Sequence, residues 1–435
     1  MNTSRSETLL DQRELMVPGV GRAGLYRRLF IAALRGIRTG TLTLHDAEGE
    51  VTLGTGEAPF VTLRVADPRA YRAATFYGDL GLAEAYLNGW WRADDLTGLF
   101  RIAIANLDAA DRSRRGVARM AKALARGAHW LRRNTPVGSR RNIHAHYDLG
   151  NDMFEQFLDE TMTYSAGVFD RPDASLAAAQ RAKLDRLCLK LDLRPEDRLV
   201  EIGTGWGSMA IHAATYYGCR VTTTTISDAQ HDMAAERIAA AGLEDRVTLL
   251  KRDYRDLEGQ FDKLVSVEMI EAVGHEFLPE YFARCAALLK PTGAMAIQAI
   301  TMPDRRYPEY LKNTDFIKRY IFPGCCVPSL SALLEAAAPT DLGVTHIEDI
   351  GLHYAETLRR WADNFDANWE AINACGYDER FRRLWEYYLC YCEAGFATRY
   401  LGDQQILFRK PESTLEPTIP PLPACPDLPA GRQRA

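Results

Sequence analysis

The sequence predicts an α/β protein with a doubly wound, mostly parallel sheet and a smaller α+β domain before it. From Ile143 onward, strand-like runs alternate with helix-like runs, which is typical of a parallel sheet covered by helices on both faces. A glycine-rich turn, "EIGTGWG", follows one of these strand-like runs. Upstream, apolar and polar residues alternate with period 2, which predicts a separate small sheet. With 435 residues, two domains are expected.

Residues 1–110 are predicted to form the smaller α+β domain, which would dock on a membrane or dimerise. The stretch "GLYRRLFIAALRGI" is helical in pattern, and "GTLTLHDAEGEVTLGTG" and "FVTLRVA" alternate like strands. Asp46–Gly49 has the composition of a turn, which predicts a hairpin. Helical spacing returns in "YRAATFYGDLGLAEAYL" and "DLTGLFRIAIANL". No catalytic cluster is recognisable in this unit.

Residues 111–142 are predicted to be a basic linker or helix. Between Arg101 and Arg141, Arg and Lys far outnumber the two acids, and apolar residues are interleaved. This pattern suits an amphipathic helix on an anionic lipid surface, although a solvated helix face or a plain linker has the same composition. The net charge of −5 and the lack of base-stacking aromatics argue against nucleic acid as a partner.

Two further patterns bear on location and metal content. No apolar run approaches the ~20 residues that span a membrane, and the polar N-terminus lacks the apolar core of a signal peptide. We therefore expect a cytoplasmic protein. The close cysteine pairs, Cys325–Cys326 and Cys390/Cys392, lack C-x-x-C spacing and a matching His cluster. No metal site is predicted.

Residues 143–411 are predicted to form the catalytic domain, and residues 412–435 a disordered tail. Strand-like runs in the domain include "DRLVEIG", "CRVTTTTIS", "FDKLVSVEM" and "GAMAIQAIT", and "QQILFRKP" reads as a last strand. Two long amphipathic helices are predicted before this last strand. The tail from Glu412 has six prolines and few apolar anchors, which predicts disorder.

The glycine-rich turn indicates a binding site for S-adenosylmethionine (SAM). Gly203, Gly205 and Gly207 have G-x-G-x-G spacing, and their missing side chains permit a tight turn and close approach of a ligand. A dinucleotide site requires G-x-G-x-x-G and an acid that closes the second strand, and neither is present. An acid two residues before the first Gly, here Glu201, is the pattern of SAM methyltransferases. Its carboxylate suits the ammonium and sulfonium centres. A dinucleotide site and a purely structural turn remain the alternatives.

Six motifs in sequence order resemble one known family. They are "HYDLGNDMFEQFLDETMTYSAGVF", "EIGTGWG", "TISDAQ", "RDYRDL", "SVEMIEAVGHEFLPEYF" and "GLHYAETLRRW". They resemble the cyclopropane-fatty-acyl-phospholipid synthases, which include mycolic acid cyclopropane synthases and fatty-acid methyltransferases. The resemblance covers about Ile143 to Pro411, with a weaker match in "YLNGWWRADDLTGLF". It implies a class I SAM-methyltransferase fold with a Rossmann-like sheet.

The resemblance also implies a set of SAM-binding residues. The set comprises Tyr164, Ser165, Glu201, Gly203, Gly205, Trp206, Gly207, Thr225, Ile226, Gln230 and Tyr254. Tyr164 and Ser165 would lie against the methionine portion of SAM, beside the glycine-rich turn. Thr225, Ile226 and Gln230 would reach the ribose and adenine. Tyr254 would lie near the adenine.

The resemblance implies methyl transfer from SAM to a cis double bond of an acyl chain. Transfer leaves a carbocation, which needs a dry site and which aromatic faces stabilise. Five aromatic residues are candidates for lining a tunnel, with ordinary core packing as the alternative. They are Tyr307, Tyr310, Phe316, Tyr320 and Phe322. Three histidines are weaker candidates for catalysis. We expect His275 to lie at a helix start on the surface, and His144 and His146 to have structural roles.

In that family a bound bicarbonate, held by Cys, Glu, His and Tyr, is thought to remove the proton. Glu271 and Tyr354 stand at the Glu and Tyr positions, whereas Ala166 stands at the Cys position and Gln298 at the His position. A Gln side chain forms hydrogen bonds but carries no charge. An Ala side chain forms no hydrogen bond and carries no charge. The predicted catalytic residues are therefore Glu271, Tyr354 and Gln298, around a bicarbonate site that is altered, weakened or lost.

The motifs and the resemblance are compatible with several functions. The first is cyclopropanation of unsaturated acyl chains of membrane phospholipids by an enzyme bound at the inner face of an anionic membrane. The second is a fatty-acid methyltransferase that gives methylene- or methyl-branched chains without ring closure. A non-catalytic SAM- or lipid-binding protein and a methyltransferase of small molecules are the remaining readings. Related bacterial synthases also suggest a homodimer.

Overall fold

The computed structural model describes residues 23–107 and 149–426. The basic segment 111–142 and the residues His144 and His146 lie outside these ranges. The strands are β1 Thr41–Asp46, β2 Gly49–Gly54, β3 Phe60–Val65, β4 Trp91–Ala93, β5 Arg198–Ile202, β6 Arg220–Thr225, β7 Val247–Lys251, β8 Phe261–Val267, β9 Leu289–Thr301, β10 Gly343–Asp349 and β11 Gly402–Arg409.

Helices precede, join and follow many of these strands. The α-helices are α1 Ala23–Leu34, α2 Arg69–Leu87, α3 Leu96–Ala105, α4 Asn151–Phe157, α5 Leu176–Lys190, α6 Ser208–His212, α7 Asp228–Ala240, α8 Leu278–Leu288, α9 Tyr307–Tyr310, α10 Leu330–Ala337, α11 Gly351–Ala367, α12 Trp369–Ala374 and α13 Glu379–Ala397. Side chains cap several of them: Ser175 accepts from the Ala178 amide at 3.1 Å, and Asp378 accepts from the Phe381 amide at 2.8 Å. Such caps satisfy amides that have no partner within the helix.

The catalytic domain is built on a seven-stranded sheet with the order β10-β11-β9-β8-β5-β6-β7. Strands β5 to β9 are parallel, and β11 runs antiparallel to both β9 and β10. Leu199, Val200 and Ile202 of β5 are buried, as a central strand with helices on both faces requires. The predicted last strand is confirmed as β11.

The N-terminal unit is a four-stranded sheet with the order β2-β1-β3-β4. Asp46 pairs with Gly49 in the predicted hairpin. The unit shares one hydrophobic core with the catalytic domain, since Phe100 of α3 packs on Tyr387 of α13 with ring centroids 4.8 Å apart. Arg380 of α13 also donates to Glu84 of α2 at 2.7 Å. The two units are therefore packed together in the described chain.

The described part of the tail, residues 412–426, differs from the expected disorder. Leu415 is buried, and the Pro420 carbonyl accepts from the Arg186 guanidinium at 2.7 Å. The Pro423 carbonyl lies 3.1 Å from Nε2 of His353. Backbone carbonyls and one apolar side chain therefore attach residues 412–426 to the catalytic domain, whereas the composition predicts disorder.

A buried ion-pair cluster joins α5 to the β10–β11 edge of the sheet. Glu348 of β10 accepts from Nζ of Lys190 at 2.7 Å and from the guanidinium of Arg186. The Lys190 side chain is fully buried, and that of Glu348 is 12% exposed. Burial alone would raise the pKa of Glu348, but hydrogen bonds from Arg186 and Lys190 lower it to about 2.

We expect Glu348→Gln to lower the free energy of unfolding by about 3–5 kcal/mol, because it leaves two buried cations without their anion. The pKa of Glu348 is lower in the folded than in the unfolded protein. Its contribution is therefore complete above about pH 4.5 and is lost as the pH falls towards 2. Urea titrations of both proteins between pH 7 and pH 3 test this. An equal urea midpoint at pH 7 would contradict it.

Candidate active site

A cavity of about 210 Å³ opens at the carboxyl ends of β5, β6 and β8. In doubly wound sheets, ligands bind at this edge. Most residues of the predicted SAM set line it: Tyr164, Ser165, Glu201, Gly203, Gly205, Trp206, Thr225, Ile226, Gln230 and Tyr254. Gly207 lies immediately before α6 and is not among the lining residues. The structure thus gathers ten of the eleven predicted residues around one space.

The glycine-rich turn forms one wall of the cavity, and all three of its glycines adopt conformations that favour glycine. Gly203 has φ +99°, Gly205 has φ +53° and Gly207 has φ +90°. A Cβ atom at Gly203 would lie 3.1 Å from Met269, whereas one at Gly205 would meet no protein atom within 4 Å. Gly205 therefore faces open cavity, which lets a ligand approach its backbone.

Glu201 provides a carboxylate at the end of β5. It is buried, and its Oε2 accepts from the Thr223 hydroxyl at 2.6 Å. Burial raises the pKa of Glu201 to about 8, against the opposing effects of Thr223 and Lys183. A cationic ligand in the cavity would favour its ionised form.

The segment around Tyr164 and Ser165 covers the cavity and is held by polar and aromatic contacts. The Tyr164 hydroxyl lies 2.9 Å from that of Tyr388, and its ring packs on Trp361 at a centroid distance of 5.2 Å. The Ser165 hydroxyl accepts from Nζ of Lys183 at 2.7 Å. Burial lowers the pKa of Lys183 to about 8, although neighbouring carboxylates oppose this.

The opposite wall carries the residues predicted to hold ribose and adenine. The Thr225 hydroxyl donates to Oε1 of Gln230 at 2.9 Å, which directs the carboxamide of Gln230. The ring of Tyr254 meets that of Tyr281 edge-on, with centroids 5.4 Å apart. Gln230 and Tyr254 thus place a carboxamide and a flat ring along this side of the cavity. Trp206, which belongs to the glycine-rich turn, donates from Nε1 to Asn151 at 2.9 Å.

Glu268 is a functional candidate that the sequence reasoning missed. It follows β8 directly, lines the cavity, and has φ +47°, a conformation that strains a residue with a side chain and persists where the surroundings impose it. Its carboxylate accepts from the Tyr354 hydroxyl at 2.7 Å, from Nε2 of Gln298 at 2.7 Å and from the Ala166 amide at 2.9 Å. An acid directly after a parallel strand was the available signal.

Glu271 lies apart from this group of donors. Its Oε1 accepts from the Ile300 amide at 2.6 Å, and its Oε2 finds no hydrogen-bond partner in the part of the chain that the structure describes. Burial raises the pKa of Glu271 to about 8, and Glu268 adds to this. Of the predicted catalytic trio, Tyr354 and Gln298 meet at Glu268, and the role of Glu271 stays a prediction.

A chain of hydrogen bonds orients Gln298. Nζ of Lys190 donates to Oε1 of Gln405 at 2.5 Å, and Nε2 of Gln405 donates to Oε1 of Gln298 at 3.0 Å. Nε2 of Gln298 then donates both to Glu268 and to Oδ2 of Asp403, the latter at 2.9 Å. Burial and the nearby Glu268 raise the pKa of Asp403 well above its ordinary range. Gln298 thus bridges two buried carboxyl groups.

The five aromatic residues proposed for a tunnel divide into two groups, and none is among the residues that line the cavity. Phe316 packs on Tyr387 with centroids 4.5 Å apart, and Phe322 contacts Tyr388. Tyr307 instead stacks on Tyr310, and its hydroxyl lies 2.9 Å from Nδ1 of His275, which is exposed. A tunnel role for these residues remains a prediction.

The residues present fit SAM and do not fit bicarbonate. The open backbone at Gly205 and the buried carboxylate of Glu201 suit a bulky, cationic ligand. Gln298 and Tyr354, two of the residues predicted to surround bicarbonate, already donate to the Glu268 carboxylate, and so does the backbone amide of Ala166. Within residues 23–107 and 149–426, no group of three or more His, Cys, Asp or Glu side chains is arranged to hold a metal ion.

We expect Gly205→Ala to weaken binding of SAM and of its demethylated product by about 5- to 100-fold, because a methyl group would enter the cavity where overpacking costs about 1–3 kcal/mol. Gly242→Ala is the matched control, since Gly242 has φ +65° and open space around it but does not line the cavity. Calorimetric titration gives both affinities. Equal affinities for the two variants would contradict the placement of the ligand.

Comparisons with known proteins identify the family of this chain. The family model for mycolic acid cyclopropane synthetase matches residues 135–406. The tuberculostearic acid methyltransferase UfaA1 of Mycobacterium tuberculosis is 40% identical over 80% of this chain and 82% of its own. The cyclopropane-fatty-acyl-phospholipid synthase of Escherichia coli is 36% identical over 82% of this chain and 89% of its own.

Solved structures show the same relationship. The mycolic acid cyclopropane synthase CmaA1, in complex with S-adenosylhomocysteine (SAH), covers 62% of this chain and 98% of its own, with 31% identity and a TM-score of 0.58. The cyclopropane synthase MmaA2 of Mycobacterium tuberculosis gives 30% identity and the same TM-score. The sheet is that of a class I SAM methyltransferase. The chain therefore belongs to the mycolic acid cyclopropane synthetase family and is a SAM-dependent methyltransferase that acts on lipid acyl chains.

Proposed function

We propose that this enzyme methylates the cis double bond of unsaturated acyl chains in membrane phospholipids and forms cyclopropane rings. One observation carries the proposal: a single cavity is lined both by the glycine-rich turn and by Glu268, which Tyr354 and Gln298 hold. SAM supplies an electrophilic methyl group on a positively charged sulfur. An alkene is a weak nucleophile, so alignment within the cavity must provide much of the acceleration.

The chain's own residues would exclude water and position the reactants. Tyr164 lines the cavity, and its ring packs on the buried rings of Phe154 and Trp361. An aromatic wall backed by buried rings suits a site in which a carbocation forms on the acyl chain, since water would capture it. A base then takes a proton from the transferred methyl group, and the freed electron pair closes the ring.

An open-chain product is the second candidate. Ala166 and Gln298 replace the Cys and His that the cyclopropane synthases are expected to carry, and the 40% identical relative is named a tuberculostearic acid methyltransferase. A hydride shift before proton loss gives a methylene branch. Proton loss from a neighbouring chain carbon gives a methyl branch beside a double bond.

Access to the lipid would come through the N-terminal unit. It exposes the apolar side chains Leu25, Leu29, Phe60 and Phe76, which suit shallow contact with a bilayer. No helix of the described residues has both the length and the apolar character needed to cross a membrane. We therefore propose peripheral association with the inner face of the membrane.

Product analysis tests the proposed function. The purified enzyme is incubated with SAM carrying a trideuterated methyl group and with vesicles of phosphatidylglycerol bearing cis-unsaturated chains. We expect the deuterium NMR spectrum to show a cyclopropane CD₂ group, with two deuterons retained in the lipid. A =CD₂ signal with two deuterons, or a CD₃ branch with three, would replace the ring by an open-chain product. Absence of any labelled lipid would refute acyl methylation.

We expect Glu271→Gln to lower turnover on these vesicles by about tenfold or more, in the range of a lost proton-transfer or orienting group. Binding of SAH should change little, because Glu271 does not line the cavity. Turnover and calorimetric titration of the same preparation separate the two effects. Unchanged turnover would remove Glu271 from the mechanism.

A further inference from the structure

The strongest unexplained feature of the site is the carboxylate of Glu268. It is bound by Gln298 and Tyr354, two residues that were predicted to surround a bicarbonate ion. Glu268 accepts three hydrogen bonds, from a hydroxyl, a carboxamide and a backbone amide. These groups come from three separate segments of the fold: α11, β9 and the loop that contains Ala166. All three donors point at one carboxylate, and that carboxylate borders the cavity.

We propose that the carboxylate of Glu268 is the base of the reaction, built into the chain in place of a bound bicarbonate. The inference rests on the proposed methylation of an acyl double bond. It assigns to Glu268 the proton that must leave after methyl transfer. It also makes turnover independent of dissolved carbon dioxide.

The step balances without a further reactant. The alkene π electrons form a bond to the SAM methyl carbon as the carbon–sulfur bond breaks, which leaves SAH and a carbocation on the chain. An oxygen lone pair of Glu268 takes a proton, and the C–H electrons close the ring or form a double bond. The proton passes to solvent after the product leaves, so the enzyme returns to its first state.

The surroundings of Glu268 keep it available as a base. Burial raises its pKa, while the three donors and the nearby Lys183 oppose the rise. Asp403 has one donor, from Gln298, and its Oδ1 has no partner among the described residues. Of the two carboxyl groups, Glu268 is therefore better placed to hold the negative charge, and Asp403 to hold a proton.

The backbone supports the same assignment. A glutamate at φ +47° is strained by about 1–2 kcal/mol relative to the right-handed region. The Glu268 amide donates to the Gln298 carbonyl at 2.8 Å, which fixes the turn after β8. A strained residue that aims a carboxylate into a cavity is typical of functional positions.

Chemical rescue provides the test. Wild type, Glu268→Gln, Glu268→Asp and Glu268→Gly are assayed on unsaturated phosphatidylglycerol vesicles in buffer freed of carbon dioxide, with and without bicarbonate or formate. The exposed Glu236 on α7 supplies the control variant Glu236→Gln. Melting temperature and SAH affinity are measured for every protein, so that loss of fold or of cofactor binding is recognised.

We expect wild-type turnover to change less than about twofold with bicarbonate, and Glu268→Gln to lose about 10²-fold or more, as for a general base. Glu268→Asp should retain part of the activity. Glu268→Gly leaves a carboxylate-sized space among three donors, so formate or bicarbonate should raise its turnover at least about tenfold over the anion-free value.

Three results would overturn the assignment. They are a wild-type enzyme that requires bicarbonate, a Glu268→Gln protein with normal turnover, and a folded, SAH-binding Glu268→Gly protein that neither anion restores. A wild-type enzyme that labels no lipid at all would instead refute the proposed function. The two failures are therefore distinguishable in one set of assays.

Discussion

The arrangement of the site depends on Lys190, a buried lysine whose ammonium group donates hydrogen bonds and cannot accept them. Lys190 offers no acceptor, so Gln405 must turn its carbonyl oxygen towards Lys190 and its amide nitrogen towards Gln298. Gln298 must then present its own nitrogen to Glu268 and Asp403. The orientation of two side-chain amides thus follows from one ammonium group. Glu348 balances that charge at the other end of the chain of contacts.

The sheet makes this chain of contacts possible. Gln298 is opposite Gln405 in the β9–β11 register, and Val267, the residue before Glu268, is opposite Gln298 in the β8–β9 register. Because β11 is antiparallel, its first residues lie beside the last residues of the parallel strands. Asp403 therefore reaches the edge at which Glu268 emerges. The antiparallel strand β11 thus brings Asp403 and Gln405, which lie near its start, to the end of the sheet where the parallel strands finish. In a wholly parallel sheet these residues would lie at the opposite end of the strands.

The sequence predicted the parallel sheet, the hairpin and ten of the residues that line the cavity, because these depend on local patterns and on motifs with fixed spacing. It named Glu271 in "EMIEAVG" and missed Glu268, since the placement of Glu268 at the cavity depends on a backbone at φ +47° after β8. The role of Asp403 depends on pairing between distant strands, and that of Lys190 on the packing of α5 against β10 and β11. The attachment of residues 412–426 was missed because composition does not report which carbonyls find a donor.

A base that is part of the chain has different consequences from one that must bind. Glu268 is present at every turnover at a fixed position, so no anion has to be captured and no ordering entropy is lost at that moment. The identity of the base does not by itself select the product, since ring closure and methylene formation both remove a proton from the transferred methyl group. Selection must come from how the walls around Tyr164 hold the chain while the cation exists. Replacement of the anion site by Glu268 is therefore compatible with either product, and the shape of the acyl path decides between them.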